Sequence, residues 1–200
     1  VLNRGARRMQ LFDKPADYVT FLSLLRQALT RTSVRCLAYC LMPNHFHLVL
    51  WPRKDGDLSK CMFWLTNAHA MAWQAARGTR GLGHVYQGRF RAFPVCEDEH
   101  YLRDCRYVEQ NALRADLVPR AQDWQWSSLF QRTTGAGLIP LDEWPVNRPD
   151  QWVDIVNEAR GGEVDSIRQA IRRSAPYGPK DWRDVVAPRL GIERSLVSLG

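Results

Sequence analysis

At 200 residues, 45% hydrophobic and 24% charged, the chain is long enough to bury one sizeable core, which excludes disorder throughout and fits a soluble domain with an extension. Its net charge of +7 is unevenly spread: residues 145–200 hold nine basic and eight acidic side chains, which leaves +6 in residues 1–144. Between Leu58 and Cys96 there is no Asp or Glu, while Lys60, Arg77, Arg80, Arg89 and Arg91 fall in that stretch. Such a bias suits a polyanion such as nucleic acid, or else is a solvated basic surface with no ligand. The five cysteines form no Cys-x-x-Cys pair and read as reduced packing residues rather than a zinc or redox centre. No apolar run approaches the roughly 18 residues of a membrane span. None at the start resembles a signal peptide, so a cytoplasmic location is expected. The chain opens on Val1, in a run that looks like the end of a strand, and residues are expected to precede it.

Taken in chain order, residues 15–32 place Tyr18, Phe21, Leu22, Leu24, Leu25, Ala28 and Leu29 on a helical period, with Pro15 suited to a first turn. Val34–Met42 reads as a strand, Pro43-Asn44 as turn chemistry and His45–Trp51 as a second strand, which together make a hairpin. Leu58–Ala76 has a long apolar face on helical spacing and ends at the glycine-rich run 78–83. Val85–Val95 is aromatic and β-branched enough for a further strand, and Glu97–Asn111 reads as a helix opened by acids, as its dipole prefers. This order predicts an α+β, ferredoxin-like sandwich with an antiparallel sheet and one helix added after the last core strand. Beyond it, Asp123–Pro149 is expected to wrap the core. Short helices are expected around Asp150–Arg160, Val164–Ser174 and Pro179–Leu190.

Alternation along a strand puts His45 and His47 on one face, with Phe46 and Leu48 on the other. Two imidazoles about 7 Å apart on a rigid strand can converge on one cation. They can equally be partly buried rings satisfied by backbone carbonyls. In the helix from Glu97, Tyr107 and Asn111 stand four residues apart and so share a face, one offering a phenol and the other a neutral amide oxygen. A phenol with an ordinary pKa of about 10 needs a nearby cation or a polarised phosphate to attack. A single tyrosine on a helix can also be mere packing.

The runs Leu2-Asn3-Arg4-Gly5, YCLMPNHFHLVL (Tyr39–Leu50), Tyr86-Gln87-Gly88-Arg89-Phe90, RYVEQNALRADLV (Arg106–Val118), Trp126-Ser127-Ser128 and Pro176-Tyr177-Gly178 span nearly the whole chain. In them the sequence resembles the REP-associated tyrosine transposases, members of the HUH single-strand nuclease superfamily. The resemblance implies His45, His47 and Asn111 as ligands of Mg²⁺ or Mn²⁺ and Tyr107 as the nucleophile. It also implies cleavage and rejoining of single-stranded DNA through a 5′-phosphotyrosine intermediate, DNA hairpins as partners, a monomer, and a place at the nucleoid. It divides the chain into a catalytic nuclease domain (1–122) and a wrap with a mainly helical extension (123–200). Two positions depart from the family's habit: Ala112 stands where proline is common and Asp116 where glycine is.

Arg89 and Arg91 are candidates to hold the strand being cut, and Arg4, Arg7 and Arg8 to hold flanking phosphates. Arg168, Arg172 and Arg173 are candidates for contact with a hairpin stem. Trp64, Trp73 and Tyr86 are candidates to stack on unpaired bases. A hairpin-binding relative that no longer cuts, and a hydrolase in which the histidines activate water while Tyr107 is structural, are the competing readings.

Overall fold

The computed structural model describes residues 1–158 and 162–197. Its sheet has three strands, β1 (Leu2–Arg4), β2 (Arg35–Met42) and β3 (His45–Trp51), in the antiparallel order β1-β3-β2. The central strand β3 sets His45 opposite Arg4 and Met42, and His47 opposite Leu2 and Cys40. On one face pack α1 (Pro15–Thr32) and α2 (Asp57–Arg77), burying Phe12, Phe21, Leu25, Met62 and Leu65 against Phe46 and Leu48 of β3. The N-terminal end of α1 is tied to α2 by Arg77, which bonds Asp17 at 2.9 Å and also pairs with Asp13.

The opposite face of the sheet is covered by α3 (Glu99–Glu109) through Tyr101, Cys105, Tyr107 and Val108. A four-residue helix, α4 (Asn111–Arg114), follows after Gln110, so the helix expected to run on to Asn111 breaks one residue earlier. Asp116, where a glycine is usual, takes a left-handed conformation (φ 52°) that aspartate tolerates better than most residues.

The strand expected over Val85–Val95 is not continuous. The segment lies along the free edge of β1, where a fourth ferredoxin-like strand belongs, but meets it at isolated bridges, Gly5 with Tyr86 and Leu2 with Arg91, while Val95 bridges Tyr177 instead. Three steps along β1 are thus matched by five along the facing chain, and the two extra residues are taken up between the bridges.

Residues 123–158 close the other edge. Trp124 Nε1 donates to the Leu41 carbonyl (2.9 Å), the Trp126 carbonyl accepts from Leu41 N (2.9 Å), and Trp144 Nε1 donates to the Leu37 carbonyl (2.9 Å). The unpaired edge of β2 is thereby protected. Two helices belong to this part: α5 (Ser128–Thr134), capped by Ser127 and ended by Gly135 at φ 71°, and α6 (Trp152–Asn157). Sequence periodicity does not reveal α5. Two more follow, α7 (Gly162–Arg173) and α8 (Lys180–Arg189), close to their expected bounds; Ala159 and Arg160, expected to end α6, lie outside the described residues.

Glu109, fully buried at the end of α3, joins these later segments to the helix: Ser128 Oγ donates to one carboxylate oxygen (2.5 Å) and Trp152 Nε1 to the other (2.7 Å). Removing one donor leaves part of a buried carboxylate unsatisfied, at a cost of about 1–3 kcal/mol. Trp152→Phe is expected to lower unfolding stability by that amount in chemical denaturation. An unchanged midpoint would show that the carboxylate does not depend on the indole.

Candidate active site

His45 and His47 leave β3 on the face that α3 covers, and their ring centroids lie 5.2 Å apart in a T-shaped arrangement. The ring of Tyr107 stands edge-on to His47 at 5.7 Å. Asn111 is 7% exposed, and its Oδ1 accepts from Arg114 Nη2 at 2.7 Å. The Arg114 guanidinium lies 4.1 Å over the face of Tyr107 and also donates to the Tyr107 carbonyl (3.1 Å). Arg114 therefore touches both polar residues of the helix pair. It is three residues after Asn111 and seven after Tyr107, a helical spacing that could have been read from the sequence.

These groups lie in a cleft of about 760 Å³. Arg4, Arg89, Arg91, Arg114, Arg168 and Arg172 line it, together with Asn3 and Gln87, and among the described residues no Asp or Glu does. Nine of the residues singled out from sequence meet there: His45, His47, Tyr107, Asn111, Arg4, Arg89, Arg91, Arg168 and Arg172. Arg7 and Arg8 do not; the 3-10 turn Ala6–Arg8, with φ of 51° and 62° at these residues, carries them away from the lining. Arg173 faces a different cavity.

The three stacking candidates lie elsewhere too. Tyr86 is buried with its hydroxyl 2.7 Å from His69 Nδ1, Trp73 donates to the Leu11 carbonyl (3.1 Å), and Trp64 packs on the core beneath Arg31 at 4.9 Å. Large aromatic area won over base stacking at these positions because α1 and α2 needed it for packing.

Burial, reinforced by Arg4 and Arg114, pushes His45 down to about 4, and burial with His45 and the same arginines holds His47 well below the usual imidazole range. Both rings are neutral at pH 7. Nδ1 of His45 is 2.7 Å from Asn44 Oδ1, which fixes the proton on that nitrogen and leaves Nε2 as the lone-pair site. The His47 ring forms no hydrogen bond among the described residues, so carbonyls do not use up the pair.

Two neutral imidazoles and an amide oxygen with one lone pair still unclaimed make a donor set that fits a divalent cation. Among the described residues no group of three or more His, Cys, Asp or Glu offers another. None of the helices described is long and apolar enough to cross a membrane.

An arginine-lined cleft with a histidine pair and a phenol at its floor is the layout of an enzyme that acts on a polyanion. Residues 1–111 match the family model described as "Transposase IS200 like", and the chain belongs to that family of transposase enzymes. It is similar to a Haemophilus influenzae protein named as a REP-associated tyrosine transposase, at 24% identity over 143 residues covering 67% of this chain and 80% of that one. A solved REP-associated tyrosine transposase bound to a REP hairpin shares the fold, with a TM-score of 0.56 and 20% identity over 80% of this chain and 82% of the other.

Because each histidine's folded value lies below the unfolded 6.5, protons favour the unfolded chain: stability is complete above about pH 6.5 and is lost as pH falls toward about 4. Between about pH 7 and pH 5, denaturant titrations are expected to lose about 2 kcal/mol through His45 alone. His45→Gln with His47→Gln should flatten that part of the profile; an equal slope in the variant would place the acid sensitivity elsewhere.

Proposed function

We propose that the protein cuts and rejoins single-stranded DNA at hairpins, with Tyr107 as nucleophile and a divalent cation, Mg²⁺ or Mn²⁺, held by His45, His47 and Asn111. The observation that carries this reading is the edge-on approach of Tyr107 to His47 at 5.7 Å inside a cleft lined by arginines. The hairpin is suggested by the structural relative, which is bound to one. A hard dication there would polarise the scissile phosphate and offset charge developing on its oxygens.

The chain's own residues do the rest. Tyr107 Oη loses its proton and forms a bond to phosphorus as the bond from phosphorus to the 3′-oxygen breaks. The 3′-oxygen takes up a proton and leaves as a hydroxyl, and the 5′-phosphate remains on the tyrosine. The bond energy is conserved, so attack by a 3′-hydroxyl reverses the step without added energy. Arg114, with its charge over the ring, is placed to offset negative charge at the reacting phosphate, and holds Asn111 in place. Arg4, Arg89 and Arg91, with Arg168 and Arg172 of α7, bind the flanking backbone. Such a DNA partner would place the protein at the nucleoid.

Incubation with Mn²⁺ and a labelled hairpin bearing a single-stranded flank should yield a covalent protein–DNA adduct on a denaturing gel, and Tyr107→Phe should yield none. Tight binding without an adduct would support a binding protein that no longer cuts. Free cleaved DNA from both proteins would support a hydrolase.

Arg114→Ala should reduce adduct formation by roughly 10²-fold or more, a loss of about 3 kcal/mol, with hairpin affinity changed far less. Arg114→Lys should recover only part, since an ammonium cannot fork between Asn111 and the Tyr107 carbonyl. Equal losses in binding and chemistry would make Arg114 an ordinary phosphate contact.

Tyr107 and both histidines come from one chain here, α3 lying on its own sheet, which favours action as a monomer. Mixing Tyr107→Phe with His45→Ala/His47→Ala should then restore no adduct. Recovered activity would mean that two copies exchange α3.

A further inference from the structure

Helix α7 divides two cavities. Arg168, Ile171 and Arg172 face the catalytic cleft, while Ser166, Gln169, Ala170 and Arg173 line a second cavity of about 280 Å³. At 3.6 residues per turn these two sets fall on opposite faces of the helix. The second cavity is completed by His100 and Arg103 of α3, residues 175–178, Arg183 of α8, and Ser195 and Leu196.

Among the described residues no Asp or Glu lines it, although three arginines do. Arg103 is paired with Glu99 at 2.7 Å, whose side chain is 65% exposed, and the His100 ring is held 2.9 Å from Asp98 and packed edge-on against Tyr177. Arg173 and Arg183 have no side-chain partner among the described residues, and the Nε of Arg183 is buried without an acceptor. A buried donor left unsatisfied costs about 1–3 kcal/mol, and Arg173 and Arg183, with no acidic partner among the described residues, repel one another as well. An oxyanion cures both, and a phosphate matches the planar fork of a guanidinium in charge and geometry.

We infer that this second cavity binds a backbone phosphate of the hairpin stem, an inference that rests on the function proposed above. α7 supplies arginines to both cavities, and Arg91 Nη1 donates to the Arg172 carbonyl (3.1 Å), fastening the helix to the segment beside the cleft. A helix is about 10 Å across, and a duplex advances about 3.4 Å per base pair, so a stem leaving the cleft crosses α7 in about three base pairs. The helix thus sits between DNA being cut and DNA being recognised.

The test measures hairpin affinity as a function of salt for the parent and for Arg173→Gln/Arg183→Gln, with circular dichroism and melting midpoint as controls for folding. The double variant is expected to bind about tenfold more weakly at fixed salt and to lose about one unit from the slope of log K against log salt. Arg183→Lys, which keeps the charge but loses the fork, should keep the slope and lose part of the affinity. A parent that binds no hairpin would overturn the proposed function itself; a parent that binds, with affinity and slope unchanged in the double variant, would overturn the second cavity alone. Inorganic phosphate is the second arm. If it raises the parent's melting midpoint and not the variant's while the hairpin slope stays unchanged, the cavity takes free phosphate and the stem assignment fails.

Discussion

Everything at the cleft depends on one helix being held in place against the sheet. Tyr107 meets His47 only because α3 lies across β2 and β3 with Tyr101, Cys105 and Val108 packed inward, and that placement is locked from behind by Glu109. A buried carboxylate is costly, and burial raises its pKa, but the donors from Ser128 and Trp152 offset the cost and come from segments far along the chain. Arg106 and Gln110 add a second fastening, both donating to the Glu158 carbonyl at 2.6 and 2.8 Å. The later part of the chain is thus a brace for α3 as well as a cover for the edge of β2.

The electrostatics follow from the same packing. With no acid among the described residues of the cleft lining, Arg4 and Arg114 work together with burial to keep both imidazoles neutral, so their lone pairs stay available at pH 7. That same positive field favours a polyanion in the cleft. Arg114 connects these roles, since it faces the ring of Tyr107 and the amide oxygen of Asn111 at once.

Much of this was legible in the sequence where the pattern is local. Apolar spacing gave α1 at its observed bounds, and the alternation around Pro43-Asn44 gave the β2–β3 hairpin and the shared face of His45 and His47. The expected fourth strand broke up because its register against β1 has two residues too many, a property of the pair that neither segment displays alone. Trp64, Trp73 and Tyr86 found packing partners distant in sequence, and Arg7, Arg8 and Arg173 lie outside the lining of the histidine cleft through backbone conformation and helix face, which charge alone does not encode; Arg173 lines the second cavity instead. Arg114 was visible in its spacing but hidden among many arginines.

The central claim is that Tyr107 itself becomes joined to DNA. Mass spectrometry of the protein after reaction with Mn²⁺ and a hairpin, followed by cleavage at Arg106 and Arg114 and digestion of the DNA, tests it most directly. The peptide Tyr107–Arg114 is expected to carry a nucleotide 5′-phosphate on its only tyrosine. A phosphonucleotide found on any other residue, with that peptide unmodified, would contradict it.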